Sequence, residues 1–503
     1  MAVRVSRLVA MAAALHAVAS MAAAQGYRAR VDTRWQTAAY RGVTLDSIPV
    51  GDTVSSSGGG PMSPDGFAVL CHSGAAYCTF FRPGPEHRGG PMTAMVDLSV
   101  WGFGVTGLSV RMSGRAATDV GSADAWPGTD PAVQLLEGYA EYAIPRATAR
   151  LGRQIIPSRL GMTGFDGGSL RWRAERRVEL QAYGGWGLAR GVALPVTSPA
   201  LNPLDDFQPT QRQLLAGASA GWTSTAVDAR VEYQREVDPQ AHKFVSERVG
   251  FDAAVSPMPN VRLSGGADYD IAAGWWGSAE AALTYLTQKM RGSVGVKRYR
   301  PHFDLWTIWG AFSPVPYNSV QASVAVAAMT RLEVRGRYER YRYEEAATET
   351  PLFATKRDGW RGELGATVTP LAHWTVDAGY QREYGPGASV SGTAATVTYE
   401  PTRRLRAILL ASAADRPLEF RFNDAVVRVY GLDAQYMASE RLRVSATVQR
   451  YQEDHRRPDA GAFDWRQFRA GVRFSFAFGS ADEVAGLTLP PAIRMLPGDR
   501  SAR

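Results

Sequence analysis

The sequence predicts an all-β chain: a transmembrane, antiparallel, up-and-down β-barrel of about 22 strands. Three observations predict it. Polar and apolar residues alternate along segment after segment, which is the period of a strand and not of a helix. Short turns alternate with longer polar connections along the whole chain. An export leader opens the chain, and no later segment is apolar over the roughly 18 residues that a membrane helix needs.

The leader reads MAVRVSRLVAMAAALHAVASMAAAQG. Arg4 and Arg7 form its positive start and Leu8 to Met21 its apolar stretch. Ala22, Ala23 and Ala24 supply a cleavage site before Gln25. Residues 1–24 are thus expected as a signal peptide, 25–478 as the barrel and 479–503 as a periplasmic tail. The alternative is an amphipathic first helix. The net charge is +8. Without Arg4 and Arg7 it is about +6, too modest to point to nucleic acid as a partner.

The strands are legible one by one. In YRARVDTRWQ (27–36), Tyr27, Ala29, Val31, Thr33 and Trp35 oppose Arg28, Arg30, Asp32, Arg34 and Gln36. The same alternation runs through VDARVEYQ (227–234), VRLSGGADYD (261–270), WTVDAGYQ (374–381) and FRAGVRFSFAF (468–478). Tight turns fall at TSTA (223–226), SPMPN (256–260), TPLAHW (369–374), EPTRRL (400–405) and ASER (438–441). Longer connections fall near 41–92, 117–131, 189–210, 300–318, 344–358, 415–423 and 453–463. That asymmetry suits short periplasmic turns and long external loops. An even strand count requires HFDLWTIWGAFSPVPYN (302–318) to be a loop. Tyr and Trp near strand ends would form the two interfacial girdles. A soluble β-sandwich or propeller is the alternative architecture. It leaves arginine-rich faces opposite small apolar ones unexplained along most of the chain.

The signal peptide, the hairpin series and the closing strand RAGVRFSFAF resemble Gram-negative outer-membrane β-barrels of the porin-like kind. ARLGRQIIPSRLGMTGFDGGSLR (149–171) is similar to the LGRQ…FDG run of alginate-export-type porins, over those residues alone. The resemblance implies the outer membrane of a diderm bacterium, lipid around the barrel, and a channel for a solute. Such barrels usually end on an aromatic residue; here 479–503 follow the last strand, so Phe476 or Phe478 would serve internally.

Cys71 and Cys78, close together in an exported chain, are expected as a local disulfide. GFGVTG (102–107) matches GxGxxG, but the strand LSVRMSGR follows where a dinucleotide site needs a helix, so it reads as a hairpin turn. The histidines are scattered, without HExxH, and no GxSxG occurs. Asp268 and Asp270 share a strand face about 7 Å apart; a calcium or glycosidase-like pair is the alternative to lumen-wall charge. No catalytic residue, cofactor or metal is expected.

A lumen of this width needs a constriction. Only Gln25 and Gly26 precede the first strand, which leaves no room for an N-terminal plug. The candidates are loops 41–92, 189–210 and 300–318, the last for Trp306, Trp309 and Phe312. Inward faces carry arginines and acids in similar number, but unevenly. If the last strand closes on the first, Arg28, Arg30, Arg34, Arg441, Arg443, Arg469 and Arg473 share one wall with Asp32 alone. Elsewhere acids match arginines, as around Asp268, Asp270 and Asp377. In TRLEVRGRYERYRYEE (330–345), Arg331, Glu333, Arg335 and Arg337 should face the lumen. Leu332, Val334, Gly336 and Tyr338 should face lipid, with Arg340 and Arg342 above the external interface. These features imply an outer-membrane channel for small polar or anionic solutes. The alternative is a barrel that sheathes a secretion, polysaccharide-export or electron-transfer complex, contacted through the tail.

Overall fold

A computed structural model describes residues 26–480 apart from 56–60, 68, 122–132, 175–176, 189–212, 240–242, 301–315, 345–356, 386–387, 416–424 and 456–464. The wall is a closed antiparallel barrel of 22 strands. They are β1 Gly26–Pro49, β2 Pro91–Trp101, β3 Leu108–Asp119, β4 Val133–Ile144, β5 Ala147–Ser158, β6 Gly161–Ala174, β7 Val178–Gly187 and β8 Leu214–Thr223. There follow β9 Val227–Asp238, β10 Lys243–Met258, β11 Val261–Asp270, β12 Trp275–Leu286, β13 Met290–Tyr299, β14 Tyr317–Met329 and β15 Leu332–Tyr343. The last seven are β16 Asp358–Val368, β17 Trp374–Gly385, β18 Ala388–Thr402, β19 Leu405–Asp415, β20 Ala425–Ser439, β21 Leu442–His455 and β22 Trp465–Gly479. Each strand pairs with the next, and β1 closes the ring on β22, Arg28 opposite Gly479 through Ala38 opposite Arg469.

Closure leaves the barrel no open edge, so the backbone can cross hydrocarbon with its polar groups paired. Period-2 alternation then sorts the side chains. Leu151, Val294, Val320 and Leu364 stand exposed on the outer face, where lipid covers them. Aromatic pairs mark the ends of the apolar band. Trp374 stacks on Tyr399 at 4.4 Å beside the short turns. Tyr338 stacks on Trp360 at 6.3 Å, and Tyr269 meets Trp276 edge-on at 5.2 Å, near the long connections. The chain is thus a membrane-spanning barrel of outer-membrane type.

Short turns are closed by hydroxyls. Val227 N–H donates to Ser224 Oγ (3.0 Å) and Met290 N–H to Thr287 Oγ1 (3.0 Å). In GFGVTG, Gly102, Gly104 and Gly107 all take positive φ, so the GxGxxG pattern is the β2–β3 hairpin turn. β13 pairs directly with β14, Met290 opposite Val326 to Tyr299 opposite Tyr317, so the segment between them joins neighbours and adds no wall strand.

The expected long loop over 41–92 is mostly strand. β1 runs on past the barrel to Pro49, and a second strand, Tyr77–Gly89, descends along it, Ala38 opposite Gly89 and Pro49 opposite Tyr77. Alternation weakens there, because two free-standing strands have no lipid face to define. The resulting arm projects roughly 35 Å beyond the last β1–β22 pair, at about 3.3 Å per residue. Its tip is stapled by the Cys71–Cys78 disulfide. Val69, Cys78 and Phe80 are buried there, packed on Ile48 and Phe67.

Candidate functional site: a constricted lumen

The feature that shapes the lumen is the β5–β6 hairpin. Its tip, Ser158–Gly161, turns inward and docks on the inner faces of β9, β10 and β12. Arg159 N–H donates to Glu232 Oε2 of β9 at 2.8 Å. Its guanidinium donates to Asp252 Oδ1 of β10 at 2.6 Å and lies 3.4 Å from Glu280 Oε1 of β12. Arg248 Nη1 donates to the Leu160 carbonyl at 2.8 Å, and Thr163 Oγ1 to Gln234 Oε1 at 3.0 Å. These contacts span 71 to 121 residues of sequence. The Arg159 side chain is only 10% exposed.

Local sequence explains the bend. Gly152 has φ +133, open to glycine. Gly167 and Gly185 face each other across β6 and β7 so closely that a Cβ on either would lie 2.6 Å from the other's Cα. Under the folded hairpin lies a small apolar core. Phe165 is fully buried with Ile156 and Leu215, and stacks on Tyr183 at 5.5 Å. Leu215 and Tyr183 point inward from β8 and β7. In an open lumen they would be wetted apolar surface; the hairpin covers them. Arg153 fastens the base of the hairpin to Asp166 (2.8 Å) and to the Leu135 carbonyl (2.9 Å).

Ring position gives the hairpin its meaning. It springs from the fifth and sixth strands and docks on the ninth to twelfth. In a ring of 22 strands, β11 stands opposite β22. Among the described residues the hairpin therefore lies on the β5–β12 side of the lumen, and the strands it docks on stand across the ring from the β1–β22 closure.

That closure is where the structure places the predicted basic wall. β21, β22 and β1 are consecutive. Arg28, Arg34, Arg441, Arg469 and Arg473 are exposed on its inner face. Arg30 and Arg473 both donate to Asp32, at 2.7 and 3.0 Å, and Ser475 Oγ donates to it too. Arg469 Nε donates to Gln467 Oε1 (2.6 Å), and the buried Arg443 donates to Ser475 Oγ (3.3 Å).

The other predicted wall residues fare differently. Arg335 grips Asp377 with two bonds of 2.8 Å, and Thr367 Oγ1 donates to the same carboxylate at 2.5 Å. Arg337 lies 3.8 Å from the buried Glu339, which Arg361 approaches to 3.2 Å. Arg331 donates to the Pro370 carbonyl at 3.2 Å. Asp268 and Asp270 accept from the backbone N–H groups of Ser278 (3.0 Å) and Ala273 (2.8 Å), so they organise the β11–β12 turn. Glu333, Arg335 and Arg337 line, with Arg230, Asp252 and Glu280, an alcove of about 890 Å³ in the inner wall. Arginines and acids alternate around it. Trp306, Trp309 and Phe312 lie outside the described residues.

Arg159 and Leu160 were not legible as a constriction. The signals are an apolar residue at a turn tip, in PSRLG, and the glycine cluster GFDGG beside it. Both sit in the run that resembles alginate-export-type porins.

No protein-family model and no curated protein matches the chain. Solved structures do. The siderophore receptor PirA of Pseudomonas aeruginosa is 12% identical, with TM-score 0.47, over 89% of this chain and 80% of that one. OccK3 (OpdO) of Pseudomonas aeruginosa is 10% identical, with TM-score 0.35, over 90% and 96%. The P pilus usher PapC translocation pore is 10% identical, with TM-score 0.40, over 89% and 99%. At such identities and scores no function passes to this chain. The likeness to alginate-export porins has no counterpart among these three.

Proposed function

We propose that the chain is an outer-membrane channel that passes small polar or anionic solutes between the inward hairpin and the basic wall. The observation that carries this reading is the pairing of a docked hairpin on one side with exposed arginines on the other. A solute carboxylate or phosphate passing there meets Arg28, Arg34, Arg441 and Arg469 in a field that would orient it. Reconstitution in planar bilayers tests it. The expected result is a conductance with anions preferred over cations. No conductance, with the barrel folded, would sink the reading.

A second reading has one observation in its favour. The arm exposes Leu45, Tyr77 and Phe81 on one face, each more than half accessible. A barrel that sheathes or docks a partner would use such a surface, with residues 479–503 as a further contact. A partner that co-purifies with the full chain and is lost from a chain with Leu45, Tyr77 and Phe81 changed to serine would favour it.

A further inference from the structure

The outer wall carries a groove where a membrane barrel should be convex. It crosses β10 to β16 and has a volume of about 970 Å³, a size that suits a bound small molecule. Its floor is small: Ala253, Gly265, Ala267, Ala279 and Ala281 all point outward. Phe251, Val255 and Leu263 wall one side, Val296 and Val320 the other.

Strand register fixes the tilt of the groove. Phe251 pairs with Ala267, Ala267 with Ala279, and Ala279 with Arg298. The row continues through Asn318 and Arg342 to Asp358. Phe251 stands mid-strand in β10, whereas Arg342 and Asp358 stand at the external ends of β15 and β16. The groove therefore rises from the middle of the apolar band to the external rim. The side chains that point outward at its lower end are apolar, and its upper end is charged.

At the upper end Arg298 is held by Glu344 at 3.0 Å. Arg340 and Arg342 are exposed, and among the described residues neither has an ion pair. Asp358 stands opposite Arg342 in register. The two arginines are two residues apart on one strand face, roughly 7 Å, so one phosphate can sit between them. Trp360 pairs with Arg340 and stacks on Tyr338, which sets this level at the interface and not in hydrocarbon.

We propose that this groove binds one phosphorylated lipid of the outer leaflet, with an acyl chain along the alanine and glycine floor and the phosphate across Arg340 and Arg342. The choice of lipid follows from the two-part chemistry. An anion alone has no use for the apolar slot, and a neutral lipid has no use for two exposed arginines that form no ion pair among the described residues.

Native mass spectrometry of the purified full chain with added lipid A tests this. The expected result is one lipid A retained per barrel, with its dephosphorylated form lost. R340Q/R342Q should weaken retention about thirty-fold, at about 1 kcal/mol per arginine near a membrane surface. Ala281→Phe, which fills the slot and leaves the arginines in place, should also weaken it. Inorganic phosphate at millimolar concentration should not displace the lipid. Unchanged retention in either variant overturns the proposal. So does displacement by phosphate, which would make the site a bare anion site. Circular dichroism establishes that each variant is folded, and conductance plays no part in the readout.

Discussion

Arg159 and Arg28 both reach into the lumen, from opposite sides, and end in different surroundings. Arg159 is held by three acids from three strands. Arg28 stands exposed on a strand whose own carboxylate, Asp32, is already shared by Arg30 and Arg473. One residue type thus does two jobs. Where acids surround it, arginine fixes structure, as Arg335 does with Asp377. Where they are scarce, its charge is left for the passage. Counting arginines and acids over the whole lumen hides this, because the sum is near balance while the two sides are not.

The largest test of that contrast is Arg159→Ala. Hydrogen bonds to charged groups are worth about 2 kcal/mol each, so losing the guanidinium should shift the hairpin toward an undocked state by at least tenfold. It also leaves Asp252 and Glu280 uncompensated. We expect single-channel conductance to rise, with a swing toward cations. An unchanged conductance would mean that the hairpin does not limit the passage.

Next is the basic wall itself. Changing Arg28, Arg30, Arg469 and Arg473 to glutamine should cut the anion-to-cation permeability ratio several-fold, read as a reversal potential in a salt gradient. Asp32→Asn should act the other way, because it frees Arg30 and Arg473. The effects should shrink at high salt, since exposed charges are screened over roughly 10 Å at 0.1 M. If the arginine variant leaves selectivity unmoved, the wall is space-filling and the contrast collapses.

The architecture of this contrast was more legible than its site. Strands, their number, the closure of β22 on β1 and the inward parity of Arg28, Arg30, Arg34, Arg469 and Arg473 all follow from period-2 alternation. A lipid face forces that pattern. The inward hairpin was not legible, because its residues alternate like any wall strand. Only tertiary contacts between Arg159 and acids 73 to 121 residues away distinguish it. Loops 41–92, 189–210 and 300–318 stand out by composition, and 189–210 and most of 300–318 lie outside the described residues; the inward element among the described residues is a hairpin of ordinary composition. The 41–92 segment erred in the opposite sense. Its Gly, Ser and Pro content suggested a loop, while its backbone continues the first strand outward.

Glycine packing offers a subtler probe of the hairpin side. Gly185→Ala places a methyl against the backbone of Gly167, and overpacking of this kind costs about 1–3 kcal/mol. The strands must part or the bend must relax. The expected outcome is a lower melting temperature together with partial opening, hence a conductance between wild type and Arg159→Ala. A stable barrel with wild-type conductance would show that the close β6–β7 approach does not hold the bend.

The smallest expected effect comes from the arm, which belongs to neither side of the lumen. Replacing Cys71 and Cys78 together by serine opens a short loop, and such a loop contributes at most ~2–3 kcal/mol. That loss falls on the tip, where Val69 and Phe80 pack beside Cys78. Below the tip, the arm is joined to the barrel through β1, through the chain that leads into β2, and through Gln467 of β22, which donates to the Ala39 carbonyl. Proteolysis should therefore cut the tip of the double variant faster, while the melting of the barrel, its conductance and its selectivity stay at wild-type values. A change in selectivity on losing this disulfide would mean that the arm reaches the passage, and the lumen would then have a third contributor beside its two walls.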